Sequence, residues 1–248
     1  MPSAERLSGT VFRLLFALSA FSARADPIIY STGGVGTDLL AIDAKTGETK
    51  VIGSFGYPGS APLAFGTDGK LYTVTDSMRH ENSRSQLASV DPATGKATPI
   101  GEPLDKTVRI MALGPGPDGG LYASGVMENR LYRIDPQTGT FTEIGPFKGG
   151  KDVMDFAINP KDGAMYATTT TALYRLDPKA AELKEVAHYA NVPPSVMGIV
   201  FDRDGTLYAT NYGGESALYR IDLATGKGEK IASFPERNVH SADMKPLQ

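Results

Sequence analysis

One phrase, a short strand that runs into a tight turn, recurs five times along the chain. Its copies are LLAIDAKTG (39–47), QLASVDPATG (86–95), RLYRIDPQTG (130–139), ALYRLDPKAA (172–181) and ALYRIDLATG (217–226). The aspartates before the turns lie 48, 44, 42 and 45 residues apart, at Asp43, Asp91, Asp135, Asp177 and Asp222. Repeats of about 40–50 residues built from short strands are typical of a β-propeller, a ring of four-stranded sheets called blades.

A second phrase alternates with the first and supplies the other hairpin of each unit. It begins with Asp-Gly at residues 68, 118, 162 and 204 and carries a Tyr four residues after the Asp. Asp-Gly and Asp-Pro-x-Thr-Gly both favour tight turns, because Gly adopts positive φ without strain and Pro presets the turn. Each unit therefore reads as four antiparallel strands, a to d. In the third unit we predict them at 111–113, 120–124, 130–134 and 140–144.

The two ends of the chain predict how the ring closes. Residues 28–30 match strand b of a unit, and no strand a precedes them. Residues 240–246 align with 154–160, which is a strand a that nothing follows. We therefore predict an all-β, five-bladed propeller of four-stranded antiparallel blades over 26–248, closed by the C-terminal strand joining the first blade. Such closure buries a sheet edge that would otherwise be exposed.

The first 25 residues have the character of a secretory leader rather than of a folded element. Arg6 and Arg13 precede a short apolar run over 14–21, and Ala23-Arg24-Ala25 fits a small-x-small cleavage site. We predict a mature chain that begins at Asp26 and is periplasmic or extracellular. The chain has no cysteine, so no lipid-anchored lipoprotein is expected.

Charge and composition narrow the choice of partners. The net charge of the whole chain is −3. The leader contains three Arg and one Glu, so its loss makes the chain two charges more negative. A mildly acidic domain has no electrostatic reason to bind nucleic acid. We expect a monomer without membrane insertion, whose partner is a small polar ligand or another exported protein.

The repeat phrases, best seen over 131–145 and 204–210, resemble those of secreted bacterial propellers of the broad NHL, SMP-30 and YVTN type. The resemblance implies the fold, but such repeats serve lyases, lactonases, quinoproteins and binding modules alike. The chain lacks tryptophan, which argues against WD-type repeats and a quinoprotein Trp-docking motif. Lactonase-type relatives usually have six blades and a Glu/Asn/Asp metal set that cannot be placed here. We expect no cofactor and no metal.

The repeat separates two faces of the ring. The a–b and c–d turns are near-copies and lie together on what we call the turn face. The b–c and d–a loops differ between units and lie on the opposite, variable face, where binding is expected. The longest b–c loop spans 76–85. Candidate ligand contacts on the variable face are Tyr57, Arg79, His80, Arg109, Glu128, Asp155, Asn191, Tyr212 and His240.

Strand a of each unit should line the central tunnel, and one of its residues is the best single candidate for a ligand contact. The aligned residues near the tunnel mouth are Pro62, Ala112, Asp155, Gly198 and Ser241. Asp155 alone among them is charged; the alternative is a solvated carboxylate or one paired with Lys151. The three histidines, His80, His188 and His240, belong to different units and lack metal-ligand spacing.

Two functions follow from this pattern. The first is a non-catalytic module that binds a ligand or protein through the variable face. The alternative is a hydrolase or lyase for a small polar or sugar-like ligand, with Asp155 and His240 as acid and base. The repeated aspartates are expected to cap turns, and the recurring Arg133, Arg175 and Arg220 to pair between blades.

Overall fold

A computed structural model gives the fold. It describes residues 27–34, 36–57, 59, 62–77, 84–104, 108–234 and 239–245. The predicted leader and Arg79 and His80 lie outside the described residues. Within the described part, no helix has the length and apolar character required to cross a membrane.

Twenty β-strands make up the regular structure of the described residues. In chain order they are β1 (Ile28–Gly33), β2 (Asp38–Asp43), β3 (Thr49–Ser54), β4 (Leu63–Phe65), β5 (Leu71–Thr75), β6 (Gln86–Val90), β7 (Ala97–Pro99), β8 (Ile110–Pro115), β9 (Leu121–Gly125), β10 (Arg130–Ile134), β11 (Phe141–Pro146), β12 (Asp155–Ile158), β13 (Met165–Thr168), β14 (Ala172–Asp177), β15 (Glu182–His188), β16 (Val196–Phe201), β17 (Leu207–Asn211), β18 (Ser216–Ile221), β19 (Gly228–Phe234) and β20 (Asp243–Met244).

These strands form five antiparallel sheets of four strands each, so the predicted five-bladed propeller is confirmed. Blade 1 has the order β20-β1-β2-β3, and blades 2 to 5 follow as β4–β7, β8–β11, β12–β15 and β16–β19. In the third unit, the strand predicted at 130–134 coincides with β10, and its neighbours are shifted by one or two residues. Each hairpin lies where the Gly-containing turns predict it, because those turns set the strand ends.

The predicted closure of the ring is also confirmed. In the ladder between β1 and β20, Ile29 pairs with Met244 and Tyr30 with Asp243. The C-terminal strand thus serves as strand a of the first blade, and both chain ends share one sheet. Val239 and Ala242 are buried in the apolar cluster between blades 5 and 1. Closure therefore rests on packing as well as on this short ladder.

The core of the molecule lies between neighbouring blades. Five apolar clusters each combine residues of two adjacent blades, as when Tyr72 and Leu87 of blade 2 pack with Ile110 and Tyr132 of blade 3. Strands b are buried on both faces, which a sheet solvated on one side would not be. Strands d are largely exposed at the rim.

The c–d turns join neighbouring blades, and their chemistry explains the repeated phrase. The Asp91 carboxylate accepts hydrogen bonds from Ala93 N at 2.9 Å and Thr94 Oγ1 at 2.7 Å, so the predicted turn-capping role is confirmed. Gly139 has φ +71°, and a Cβ there would lie 2.2 Å from the Ile100 carbonyl oxygen of the preceding blade. Glycine is required at such a position by both conformation and space.

The expected pairing of the repeated arginines between blades is wrong for two of them. Arg133 Nε lies 2.6 Å from Asp118 Oδ2, and Arg220 lies 2.5 Å from Glu229 Oε2, both within one blade. The partners are on the neighbouring strand or turn, because cross-strand positions in one sheet bring opposite charges together.

Candidate functional site

The inner strands approach one another closely around the tunnel. Gly198 of blade 5 faces blade 1 so tightly that a Cβ would lie 2.6 Å from the Ser241 carbonyl carbon and 2.7 Å from Ala242 N. Ser31 Oγ donates a hydrogen bond to the Ser241 carbonyl within blade 1. The contact between blades 5 and 1 is therefore formed partly by backbone atoms.

Asp155, the charged tunnel residue, is fully buried and ties three blades together. Its Oδ2 accepts hydrogen bonds from Ile199 N of blade 5 at 3.0 Å and from Ala242 N of blade 1 at 3.3 Å. Its Oδ1 is buried without a hydrogen-bond partner. Burial raises the pKa of Asp155 well above its usual range, opposed by the N–H groups of Ile199, Phe156 and Ala242. Its role as a ligand contact stays a prediction, while its role as a tie is observed.

A second carboxylate, Asp243, extends this tie and was missed from the sequence. Its Oδ2 accepts a hydrogen bond from Phe65 N of blade 2 at 2.6 Å, and its Oδ1 one from Met244 N at 2.7 Å. Desolvation raises the pKa of Asp243 to about 7. A charged residue in the middle of an inner strand, where the aligned residues are Ala157 or Val200, was the signal available in the sequence.

Several buried hydroxyl groups lie on or beside the two inner strands of the blades. Ser124, Thr210 and Ser241 each have a side-chain oxygen that is buried without a hydrogen-bond partner. Thr168 Oγ1 instead lies 2.8 Å from Tyr189 Oη, whose pKa is raised by burial. Buried polar atoms are normally paired, so these positions mark places where water or ligand atoms would be accommodated.

Three predicted residues come together at the tunnel mouth on the variable face. His240 stands where three of the other four blades have methionine. Its ring lies 4.5 Å from that of Tyr212, at an angle of 37°. His240 is only 4% exposed, and both its ring nitrogens lack a hydrogen-bond partner. Burial and then the charge of Arg109 lower the pKa of His240 to about 4. Arg109 Nε is likewise buried without a partner.

These three residues belong to three different blades. No local sequence motif therefore predicts that they lie together. Arg109 immediately precedes β8 of blade 3, Tyr212 follows β17 of blade 5, and His240 leads into β20 of blade 1. The backbone N–H of His240 donates a hydrogen bond to the Thr32 carbonyl at 3.1 Å. This bond fixes the histidine backbone where the C-terminal segment closes the propeller.

The remaining candidates lie elsewhere on the variable face. Tyr57 is partly buried against the apolar cluster between blades 1 and 2. Glu128 is exposed, and Asn191 is exposed with φ +60°. None of these three has a described contact with Arg109 or His240. The structure therefore gathers part of the predicted set and leaves the rest dispersed.

Backbone strain is concentrated on the variable face. Among the described non-glycine residues with positive φ, five lie in its loops and one, Ala181, lies in a c–d turn. The five are Asp76, Asn129, Asp152, Asn191 and Ser195. Asn and Asp tolerate this conformation, but Ser195 at φ +80° is less usual. Strained backbone often accompanies a functional surface, because surrounding structure must hold it in place.

A competing crevice of about 530 Å³ lies on the turn face beside blade 2. Its lining includes Lys70, Lys96 and Lys245. Asp91, also in the lining, already accepts hydrogen bonds within its own turn.

Across the described residues, no cluster of three or more His, Cys, Asp or Glu could hold a metal ion. At the variable-face mouth, the buried atoms without a hydrogen-bond partner are Arg109 Nε and both ring nitrogens of His240.

Several solved structures share the fold of this chain. A protein of unknown function from Bacteroides thetaiotaomicron has a TM-score of 0.57 at 16% identity over 91% of this chain, which spans 63% of that protein's length. A chain of a nidogen–laminin complex gives 0.58 at 12% identity, covering 90% of this chain and 99% of its own. A gluconolactonase from Xanthomonas campestris gives 0.52 at 16%, covering 84% and 72% respectively. The resemblance noted in the sequence is confirmed at the level of fold.

Residues 118–244 match DUF6923, described as a repeat of unknown function, and the chain belongs to this family. No curated protein matches the chain in sequence. The relatives therefore establish fold and family, and function has to be argued from the site itself.

Proposed function

We propose that the protein is an exported binding module that holds a ligand at the tunnel mouth of its variable face, without transforming it. The observation that carries the proposal is the group of unpartnered buried polar atoms on Arg109 and His240, backed by Tyr212. A buried polar group without a partner costs about 1–3 kcal/mol, and more when it is charged. Such a cost is tolerated where a ligand supplies the missing partner.

Binding is favoured over catalysis by the arrangement of the two acid–base candidates. General acid–base or nucleophilic sites usually hold the base with a hydrogen bond from an orienting group. His240 has no such bond to either ring nitrogen, and Asp155 Oδ2 is occupied by two backbone N–H groups. The hydrolase or lyase alternative would need Asp155 to reach a substrate from a fully buried position.

Export is part of the same proposal and rests on the leader character of residues 1–25. Mass spectrometry of the protein recovered from the periplasm or medium should find Asp26 at the N-terminus. Recovery of the intact leader on protein confined to the cytoplasm would contradict export.

A thermal-shift screen of small polar metabolites tests the binding proposal. A ligand at one hundred times its Kd stabilises the folded state by about 2.7 kcal/mol, which is readily measured. The shift should be lost in Arg109→Gln and in Tyr212→Ala, and kept in the turn-face control Lys96→Gln. Mass analysis of each hit after incubation should recover it unchanged.

Two outcomes would contradict the proposal. Hits that disappear in Lys96→Gln but persist in Arg109→Gln would move the site to the turn-face crevice. Conversion of a hit to product by wild type, with loss of turnover in His240→Gln, would favour the hydrolase or lyase alternative.

A further inference from the structure

Arg109 defines one half of the chemistry at the tunnel mouth. A guanidinium stays charged at every pH at which proteins fold, and it is a donor only. Its Nε is buried without an acceptor, and no ion pair of the described residues includes Arg109. Hydrogen bonds from a charged donor to an anionic acceptor are about twice as strong as neutral ones. The missing partner is therefore best supplied by an anion.

His240 defines the other half. With its pKa lowered to about 4, the imidazole is neutral near neutral pH. A neutral imidazole has one N–H donor and one acceptor nitrogen, and both are unpartnered here. The tilted ring of Tyr212 packs against the imidazole and restricts its position. A ligand hydroxyl group is complementary to such a ring, because it can donate a hydrogen bond to the acceptor nitrogen.

The charge balance at the mouth discriminates between ligand classes. A divalent cation would be repelled by Arg109 and would lack a cluster of anionic ligands among the described residues. A phosphate group is usually held by several donors or a helix N-terminus, and the single arginine at this mouth offers fewer donors. A neutral sugar would leave the Arg109 charge unmatched. A carboxylate group, with its two acceptor oxygens in one plane, fits the guanidinium edge.

We propose that the tunnel mouth binds a small hydroxy carboxylate, whose carboxylate accepts from Arg109 and whose hydroxyl donates to His240. This inference rests on the proposed function, since it names the ligand class of the same site. Tyr212 is assigned a positioning role, because it contacts the imidazole rather than the carboxylate. The contact with Arg109 requires a negatively charged ligand, and the contact with His240 requires a hydroxyl group on that ligand.

Nuclear magnetic resonance of the histidine side chains tests this assignment directly. The chain has only three histidines, so the His240 imidazole signals can be assigned by comparison with His240→Gln. The probes are glycolate, L-malate and tartrate, each measured against its uncharged amide. The acids should shift the His240 signals in a saturable way, and the amides should bind at least about tenfold more weakly, a difference of about 1.4 kcal/mol.

The imidazole titration gives a second readout that a purely structural role would not change. The charged or titratable groups beside His240 are Arg109 and Tyr212, with Asp243 three residues along the same segment and Asp155 bonded to Ala242. A bound carboxylate offsets the positive field of Arg109, so the His240 midpoint should move upward on saturation with malate. An unchanged midpoint would show that the anion does not bind near Arg109.

Variants at Arg109 keep the test decisive. Arg109→Gln should weaken malate binding at least about tenfold, while Arg109→Lys, which keeps the charge but loses the planar edge, should weaken it less. If Arg109→Gln melts well below wild type, two other measurements decide whether an anion binds at Arg109. They are the acid–amide comparison on the wild-type protein and the affinity of the Arg109→Lys variant. Equal binding of acids and amides, or unchanged binding in both variants, would overturn the assignment. Neutral hits that depend on Arg109 would overturn the ligand class alone and leave the binding site standing.

Discussion

Substitution of Asp155 tests the strongest structural conclusion about the tunnel, namely that this carboxylate ties blades 4, 5 and 1 together. Asp155→Ala removes the acceptor of Ile199 N and Ala242 N, which lie 3.0 and 3.3 Å from Oδ2. Each buried N–H left unsatisfied costs about 1–3 kcal/mol. Removal of the carboxyl group also removes the cost of desolvating it, which offsets part of this loss. We expect a net loss of at least about 2 kcal/mol in the free energy of unfolding.

Asp155→Asn is the matched control. The amide oxygen can accept both N–H bonds, and the NH2 group resembles the OH of a protonated acid, the form that burial favours. We expect this variant to stay within about 1 kcal/mol of wild type at neutral pH. Urea unfolding followed by circular dichroism gives the free energies of unfolding of wild type and both variants. The three curves are fitted with one common dependence of free energy on urea concentration. The drop for Asp155→Ala corresponds to about 4–8 °C in Tm for a chain of this size.

The pH dependence gives the same comparison a defined sign. The folded-state pKa of Asp155 is raised, so the folded protein retains a proton that the unfolded chain loses near pH 4. Its contribution to stability is therefore present at low pH and is lost as the pH rises through the folded pKa. Asp155→Asn should lose less stability over that rise than wild type. An Ala variant as stable as wild type, or an Asn variant as damaged as Ala, would refute the tie.

Four further expectations concern closure, turns and titration. Removal of residues 239–248 should sharply lower Tm, because it deletes β20 together with the partner of Phe65 N; an unchanged Tm would argue against closure by this strand. Gly139→Ala should cost at least about 1–2 kcal/mol through positive φ, with a Cβ 2.2 Å from a carbonyl oxygen, and near-neutral unfolding data would count against this. Ala181→Gly should change stability by less than about 1 kcal/mol, since relief at φ +52° is offset by a lost buried methyl worth about 0.8 kcal/mol. Asp243→Asn should flatten the loss of stability between about pH 4 and about pH 7, because a pKa raised to about 7 withdraws stability over that range; equal slopes would contradict that shift.

The fold could be predicted from the sequence because each turn has its own chemical signature. Glycine and aspartate at repeated positions set the hairpins, and the aligned ends at 28–30 and 240–246 set the closure. The prediction that Arg133 and Arg220 pair between blades was wrong. The repeat phrase does not indicate whether the nearest acidic residue lies in the same blade or in the next one.

The candidate site was predictable only in its members and not in its grouping. Arg109, Tyr212 and His240 come from three blades, and their meeting depends on how narrowly five blades close around the axis. The same closeness buries Asp155, which the sequence marks as charged but cannot mark as tied to Ile199 N. A tunnel width is a property of the assembled ring, and no single repeat contains it.

The central claim, that the tunnel mouth of the variable face is the binding site, is tested most directly by a high-resolution crystal structure grown with malate. We expect an ordered carboxylate that accepts a hydrogen bond from Arg109 Nε and lies against the ring of His240. Malate held instead by Lys70, Lys96 and Lys245 on the turn face would contradict this assignment. So would a ligand-free mouth in which Arg109 and His240 are fully paired with protein groups.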